Sequence, residues 1–561
     1  MWATAKRPGM RNFGFWVLLA GAGWLASGAD WPMPSGGPQR NGWARSERML
    51  TKENIKSLKL LYKYQADNVA RGTNSLTPPI INGNLITYKG FKEMLMFGAS
   101  ADKVFSVDAD LNKLIWESKM PYKGDTPAST SATATCPGGL TAPIAMAGSS
   151  SSPMHFAAEA SRLPAVAGAP RKRPSPYLPT LAQSVYPMTA KTLSQLAAVY
   201  AVSSDGYLHV LNSSTGEDLI APIKFLPPNA KVTSLNVWET MVYATTGGLC
   251  DGYRNALYGL NLLTNEKKVV VFAPEFGGFA GSGGTAIGFD GTVYVQTMQA
   301  PGEPAGRFHD TVLALTPREL TVKDYFTVAS GSLSAQDRES TGITPAVFTW
   351  RGKEMIAAGG RNGRLYLLDA KSLGGADHKT PLLQTPPVIR RARGGEGFQG
   401  SFASWQDIDT QTRWLYVPVA GPVKTGVKFP NMGNAPTTGS LLAFALKQEG
   451  DKPTLDPLWL SGDMVSPGPA TIVNGMVFAL STGTVPSGTG DPKAQAAGGP
   501  AVLYALDALT GKQLYTSGTS VTAPAANNAI AVANGRIYFS AQDNSVYSFG
   551  LAKDQTQLTE Q

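Results

Sequence analysis

Side chains able to do chemistry are few in this 561-residue sequence, and their spacing excludes more than it allows. The histidines are His155, His209, His309 and His378, none in metal-ligating spacing with another, so a histidine zinc or iron site has no basis here. His209 falls inside an alternating apolar segment, the setting of a packing histidine. Neither a Gly-x-Ser-x-Gly elbow nor a Walker loop is present. Gly277-Gly278-Phe-Ala-Gly281-Ser-Gly283-Gly284 is glycine-rich, but no helical pattern follows to aim its amides at a phosphate, so it reads as a flexible turn. Cys136 and Cys250 are the two thiols of the chain. An even count in an exported protein favours one disulfide, with two free buried thiols as the other reading.

Export is itself an expectation from the first 29 residues. They carry no acid, and Lys6, Arg7 and Arg11 precede the apolar run from Phe13 to Ala26. That run is short and Gly-interrupted for a membrane span, and Ser27-Gly28-Ala29 offers small residues for a signal peptidase. Residues 1–29 are therefore read as a secretory signal, with an uncleaved anchor as the alternative, and the mature chain is expected in the periplasm or medium without a membrane span. Removing those three cations takes the formal charge from +9 to +6. So small a surplus on so long a chain argues against a nucleic-acid partner. Arg171-Lys172-Arg173, bracketed by prolines, reads as a solvated loop.

The elements that would position any site are written in repeats. Leu503 to Tyr515 reads LYALDALTGKQLY, a hairpin with Leu503, Ala505 and Asp507 on one side of a strand and Tyr504 and Leu506 on the other. Thr510-Gly511 supplies the turn, and the oxygens of Asp507 and Thr510 can satisfy its amides. Related hairpins start at Val104 (VFSVDADLNKLIW), Tyr207 (YLHVLNSSTGED), Leu257, Val312, Leu365 and Leu441. An eighth begins at Val546 and lacks its return strand. Each is preceded by strand patterns of its own, such as Asn474-Gly475 and Asn534-Gly535 followed by alternating apolar residues, so the repeating unit has about four strands. The N-terminal Leu58 to Tyr64 has no hairpin of its own and fits the missing strand, which would close a ring and remove its open edge. Trp116, Trp405, Trp414 and Trp459 read as aromatics packed between units. Residues 124–195, rich in Ser, Ala, Thr and Pro, read largely as a loop insertion.

These hairpins, the Asp30-Trp31-Pro32 opening and the closing strand together resemble the pyrroloquinoline quinone (PQQ) dehydrogenase-like eight-bladed β-propellers. The resemblance implies an all-β ring over residues 30–550, followed by a tail at 551–561. In the catalytic members of that family a Glu, an Asn and an Asp hold calcium or a lanthanide beneath PQQ, an Asp serves as base, and two adjacent cysteines lie over the cofactor. This chain has no adjacent cysteines, and Gly248 follows Thr246-Gly247 where the family has its Asn. Near the family's acidic cluster stand Asp337 and Glu339, one step out of register with Pro345. Arg361-Asn362-Gly363 matches the turn whose Arg contacts PQQ, although the same three residues also make an ordinary hairpin turn.

Two functions follow, with a carbohydrate- or peptide-binding propeller using the loops around Arg391 to Trp405 as a third. One is an exported propeller acting as a binding or interaction scaffold for a protein or small-molecule ligand. The other is a PQQ- and metal-dependent quinoprotein dehydrogenase oxidising a small alcohol or sugar, with Arg361 and Asn362 on the cofactor and Asp337 or Glu339 as base or metal ligand.

Overall fold

The computed structural model describes residues 29–87, 90–120, 133, 135–147, 198–263, 267–299, 304, 306–328, 343–389, 396–423, 426–430, 436–450, 452–484, 498–527 and 529–552, with 84–87 and 90–91 as backbone only. The signal segment, Arg171 to Arg173, Asp337 and Glu339 lie outside the described residues.

Eight antiparallel sheets form the chain. Blade 1 consists of Ile80–Thr87, Gly90–Ala99, Lys103–Asp108 and Lys113–Lys119, from the axis outward. Blades 2 to 7 follow in sequence, their inner strands beginning at Ala145, Lys231, Gly278, Ala346, Gly397 and Thr471. Blade 8 takes Ala531–Ala533, Arg536–Ser540 and Ser545–Gly550 from the C-terminal end and Lys59–Gln65 from the N-terminal end. Lys59 pairs with Gly550 and Gln65 with Ser545, so the expected closure is made by a full antiparallel seam. No blade edge is left open there.

Alternation along each strand makes a blade a two-faced wall. Leu503 and Ala505 join a core with blades 8 and 1, whereas Tyr504 and Leu506 pack towards blade 6. Similar apolar clusters fill each interface around the ring. The repeated turns add a polar lock. Asp507 Oδ1 accepts hydrogen bonds from the amides of Leu509 and Thr510 at 3.0 and 2.9 Å. Gly511 has φ +72°, and a Cβ on it would lie 2.7 Å from the Trp459 ring. That ring belongs to the preceding blade, and its Nε1 donates to Ala508 O at 3.0 Å. Trp116 repeats the arrangement on blade 2, with its ring against Gly216 and its Nε1 2.7 Å from Ser213 O. The signature glycine is thus needed twice, for the turn and for the tryptophan.

Two local expectations change. The sequence reads Asn82-Gly83, with Pro78-Pro79, as punctuation before a strand from Asn84 to Tyr88, but Asn82-Gly83 is a bulge inside the inner strand of blade 1, Ile80–Thr87. Glycine is required because a Cβ there would sit 2.3 Å from Ala29 O, where the N-terminal segment crosses. Residues 135–147, within the stretch read as insertion, bring buried Leu140 and Ile144 and the inner strand Ala145–Met146 of blade 2.

The irregular lead DWPMPSGGPQRNGW makes a circuit of the ring as a strap. Trp31 exchanges two 2.9 Å backbone bonds with Ile81 of blade 1. The amides of Met146, Ile287, Val347, Ser404 and Ile472, on blades 2, 4, 5, 6 and 7, donate in turn to Pro32, Pro38, Gln39, Asn41 and Gly42. Blade 3 is reached by Arg40, whose Nη2 donates to Leu235 O at 2.9 Å, and blade 8 by Glu47, whose Oε2 accepts from Gly535 N at 3.0 Å. Polar atoms of the inner strands thereby find partners across the axis without water. One end of the ring, carrying the Asp-x-x-Thr-Gly turns, is closed by this strap, while the other stays open.

Candidate functional site: the axial cavity

A cavity of about 450 Å³ opens on the axis at the end opposite the repeated turns. Its walls come from residues at or near the starts of successive inner strands: Thr77-Pro78, Thr141, Lys231 to Thr233, Gly281 to Gly283, Gln399 to Ser401 and Asn527. Pro34 and Ser35 of the strap form the floor, fixed by Ser35 Oγ at 3.0 Å from Ser401 Oγ. Beneath them Arg40 is buried and donates to the carbonyls of Pro34, Thr285 and Leu235 at 2.7, 3.1 and 2.9 Å. Burial pulls its guanidinium down to about 9, still cationic at neutral pH.

Hydroxyl and amide side chains alternate with apolar ones such as Leu76, Leu140, Phe279 and Met298 in the lining, Lys231 supplies its charge, and no carboxylate is among the described lining residues. Such walls can hydrogen-bond a polar ligand and attract negative charge. They do not offer a hard divalent cation the carboxylate oxygens it prefers. No group of three His, Cys, Asp or Glu that could hold a metal occurs among the described residues. The glycine stretch 277–284, read as a flexible turn, is a tightly packed wall. Gly281 has φ +76°, a Cβ on it would meet Thr344 N at 2.1 Å, and Gly283 N donates to Thr344 Oγ1 at 2.9 Å.

Cys136 and Cys250 form a disulfide, with Cα atoms 5.5 Å apart. It joins the approach to blade 2 to the turn after the second strand of blade 3, on the rim of the open end. The bridge also decides what position 248 can hold. Gly248 has φ +79°, and a Cβ there would lie 2.6 Å from Thr135 O and 3.1 Å from Cys250 Sγ. Any side chain at position 248, where the resemblance implies an Asn, would therefore meet Thr135 and the bridge.

Arg361 and Asn362 sit in the turn between the second and third strands of blade 5, also at the open end. Arg361 Nε lies 3.4 Å from Asp310 Oδ1, and its Nη2 donates to Gln299 O, so the guanidinium is tied to blade 4. Asn362 Nδ2 donates to Tyr366 Oη at 2.8 Å, and its Oδ1 accepts from Arg364 N at 3.2 Å, closing its own turn. Neither residue lines the cavity. His209 is buried, with Nδ1 3.1 Å from Asp218 and Nε2 3.2 Å from Ser203 Oγ inside blade 2. Of the polar cavity residues, Gln399 lies in the stretch Arg391 to Trp405 named from sequence, whereas Lys231 and Asn527 do not stand out there. Lys231 opens the inner strand of blade 3 and Asn527 precedes that of blade 8, and no shared motif marks those positions.

No protein-family model matches the chain, and no curated protein matches it by sequence. Solved structures do resemble it. A quinohemoprotein alcohol dehydrogenase from Comamonas testosteroni is 15% identical with TM-score 0.55, over 94% of this chain and 81% of that one. A second, from Pseudomonas putida HK5, is 12% identical with TM-score 0.56 over the same shares. A europium-containing methanol dehydrogenase is 12% identical with TM-score 0.54, over 93% of this chain and 98% of that one. At such identities the likeness is one of fold: the chain is an eight-bladed propeller of the PQQ dehydrogenase type.

Against the cofactor and metal implied by that fold, the described residues fit poorly. Position 248 has no room for a ligating side chain, Arg361 is engaged by Asp310, and the described walls lack a carboxylate.

Proposed function

We propose that this protein is an exported propeller that works as a binding scaffold, holding a polar ligand or a partner's polar side chain in the axial cavity without metal-assisted oxidation. The observation that carries this reading is the packing of Gly248 under Thr135 and the Cys136–Cys250 bridge, at the position where the resemblance implies a metal-binding Asn. Hydroxyl and amide side chains set among apolar ones in a cup closed at its floor can select a ligand by hydrogen bonds, and need no Lewis acid to do so. The basic, apolar leader of residues 1–29 and the disulfide support export to an oxidising compartment.

The second reading, a PQQ- and calcium- or lanthanide-dependent alcohol dehydrogenase, is favoured by the fold shared with the two quinohemoprotein alcohol dehydrogenases and the methanol dehydrogenase. The two part on one experiment. Purified protein is titrated with PQQ in calcium or lanthanum, following the cofactor's absorption and dye-linked oxidation of short alcohols. The scaffold reading expects neither stoichiometric uptake nor turnover. Metal-dependent turnover would replace it with the enzyme.

A further inference from the structure

The closed end of the ring carries a second concave site, between blades 5 and 6. A groove of about 440 Å³ is lined there by Trp350, Arg351, Gln406, Gln411, Thr412 and Lys447, among others. Arg413 stands behind it. In the register of blade 6, Arg413 pairs with Gln406 on one side and Leu446 on the other, and both of those residues line the groove. Directly paired residues of an antiparallel sheet project to the same face, so Arg413 shares the groove's side of the blade.

The charge balance there is unusual. Arg413 is 1% exposed, and its Nη2 donates to the Thr349 carbonyl while Nε and Nη1 have no hydrogen-bond partner. Its guanidinium lies 5.3 Å from the Phe348 ring and 5.8 Å from the Trp43 ring. Exposed Arg45 covers Trp43 at 4.3 Å. Among the described residues, no ion pair is made by Arg45, Arg351 or Arg413. Carboxylates of the two blades are committed elsewhere: Asp456 to Lys447 at 2.9 Å, Asp407 to Thr410 Oγ1 at 2.5 Å, and Glu354, opposite Thr349, to Phe289 N at 2.8 Å. Burial, and the charge of Arg45 after it, lower the Arg413 guanidinium to about 10, so it still carries its charge at neutral pH.

A buried guanidinium with two idle nitrogens and a second arginine beside it is costly in isolation, and an anion relieves both costs. We propose that the blade 5–6 groove is an oxyanion-binding site in which Arg413 behind the groove and Arg351 in its wall take a carboxylate or phosphate group, with Gln406 and Gln411 supplying neutral hydrogen bonds and Arg45, stacked on Trp43, adding positive charge. The site is separate from the axial cavity, so neither depends on the other.

The test uses the full mature chain, with inorganic phosphate and citrate as probes in isothermal titration and thermal unfolding, against potassium chloride at equal ionic strength. The expected result is saturable binding of at least one probe with a rise in melting temperature beyond the salt control, the tighter probe naming the group. Arg351→Ala, an exposed substitution that leaves the core intact, and Arg413→Met should each weaken that binding about tenfold or more. If the wild type binds neither probe above the salt control, or if both variants bind as the wild type does, the proposal is overturned.

Discussion

The two ends of the propeller are built on opposite rules. At the closed end the same turn is made again and again: an Asp or Asn side chain accepts the amide two residues on, as in Asp108, Asn212 and Asp507, and the two Asp side chains accept the amide three on as well. A glycine then lies under a tryptophan, and a strap ties all eight blades across the axis. At the open end, among the described residues, repetition is confined to tight turns between second and third strands, as at Ser203 to Tyr207, Gly360 to Arg364 and Ala541 to Ser545, and the rest differs from blade to blade. Blade 3 spends its connection on a disulfide, blade 4 on a glycine wall against Thr344, and blade 5 on an Arg361–Asp310 pair. Repetition therefore marks where the chain must turn and seal, and divergence marks where it is free to build a site.

The disulfide offers the largest test of that contrast. It closes a separation of 114 residues, so Cys136→Ser with Cys250→Ser should lower unfolding free energy by about 4 kcal/mol, chiefly by freeing the unfolded chain. Amide exchange at Met146, Val347 and Ile472, whose amides donate to the strap, should stay native-like below the transition. Loss of protection there would mean that the open end also holds the ring together. Arg40→Met probes the other end. The carbonyls of Pro34 and Leu235 lose a charged donor, for a cost of about 3 kcal/mol. Here the amides of Met146, Ile287, Val347, Ser404 and Ile472 should exchange faster as a group. A variant as stable as the wild type would remove the strap from the account of ring closure.

Much of the closed end could be read from sequence because its bonds are local. Asp507, Thr510 and Gly511 act within four residues, and Leu58 to Tyr64 carries its alternation on its face. The strap escaped for the opposite reason. It is a Pro- and Gly-rich lead with no periodicity, and its partners are main-chain groups such as Ile81, Val347 and Ile472, up to several hundred positions away. At the open end the disulfide was legible by counting two cysteines in an exported chain. That Arg361 would be taken by Asp310, or that Gly248 lies beneath Thr135, depends on how neighbouring blades abut, and no local pattern encodes that. The bulge at Asn82-Gly83 likewise looked like a turn until the crossing of Ala29 was in place.

The smallest test compares one carboxylate at each end. Asp507 at the closed end is raised by burial, but Lys52 and the Thr510 hydroxyl and amide outweigh this, and its pKa lies below the ordinary value. Asp463 at the open end is likewise raised by partial burial and more strongly lowered by the hydroxyls and amides of Thr438 and Thr437, to about 2. Both groups are depressed in the folded state, so each contributes stability that is present above the unfolded carboxylate value near 4 and is lost as pH falls through the folded value. For Asp463 that window runs from about pH 4 down to about 2. Because solvent screens a carboxylate so near the surface, Asp463→Asn should cost only a fraction of a kcal/mol at neutral pH. The gap between variant and wild type should close by about pH 2, read from denaturation midpoints at each pH. Asp507→Asn should show the same sign and add a salt dependence, since Lys52 lies 2.7 Å from Asp507 and the Thr hydroxyls around Asp463 carry no charge. A salt-independent Asp507 variant would show that the turn's hydrogen bonds alone hold the closed end, and that Lys52 adds nothing to it.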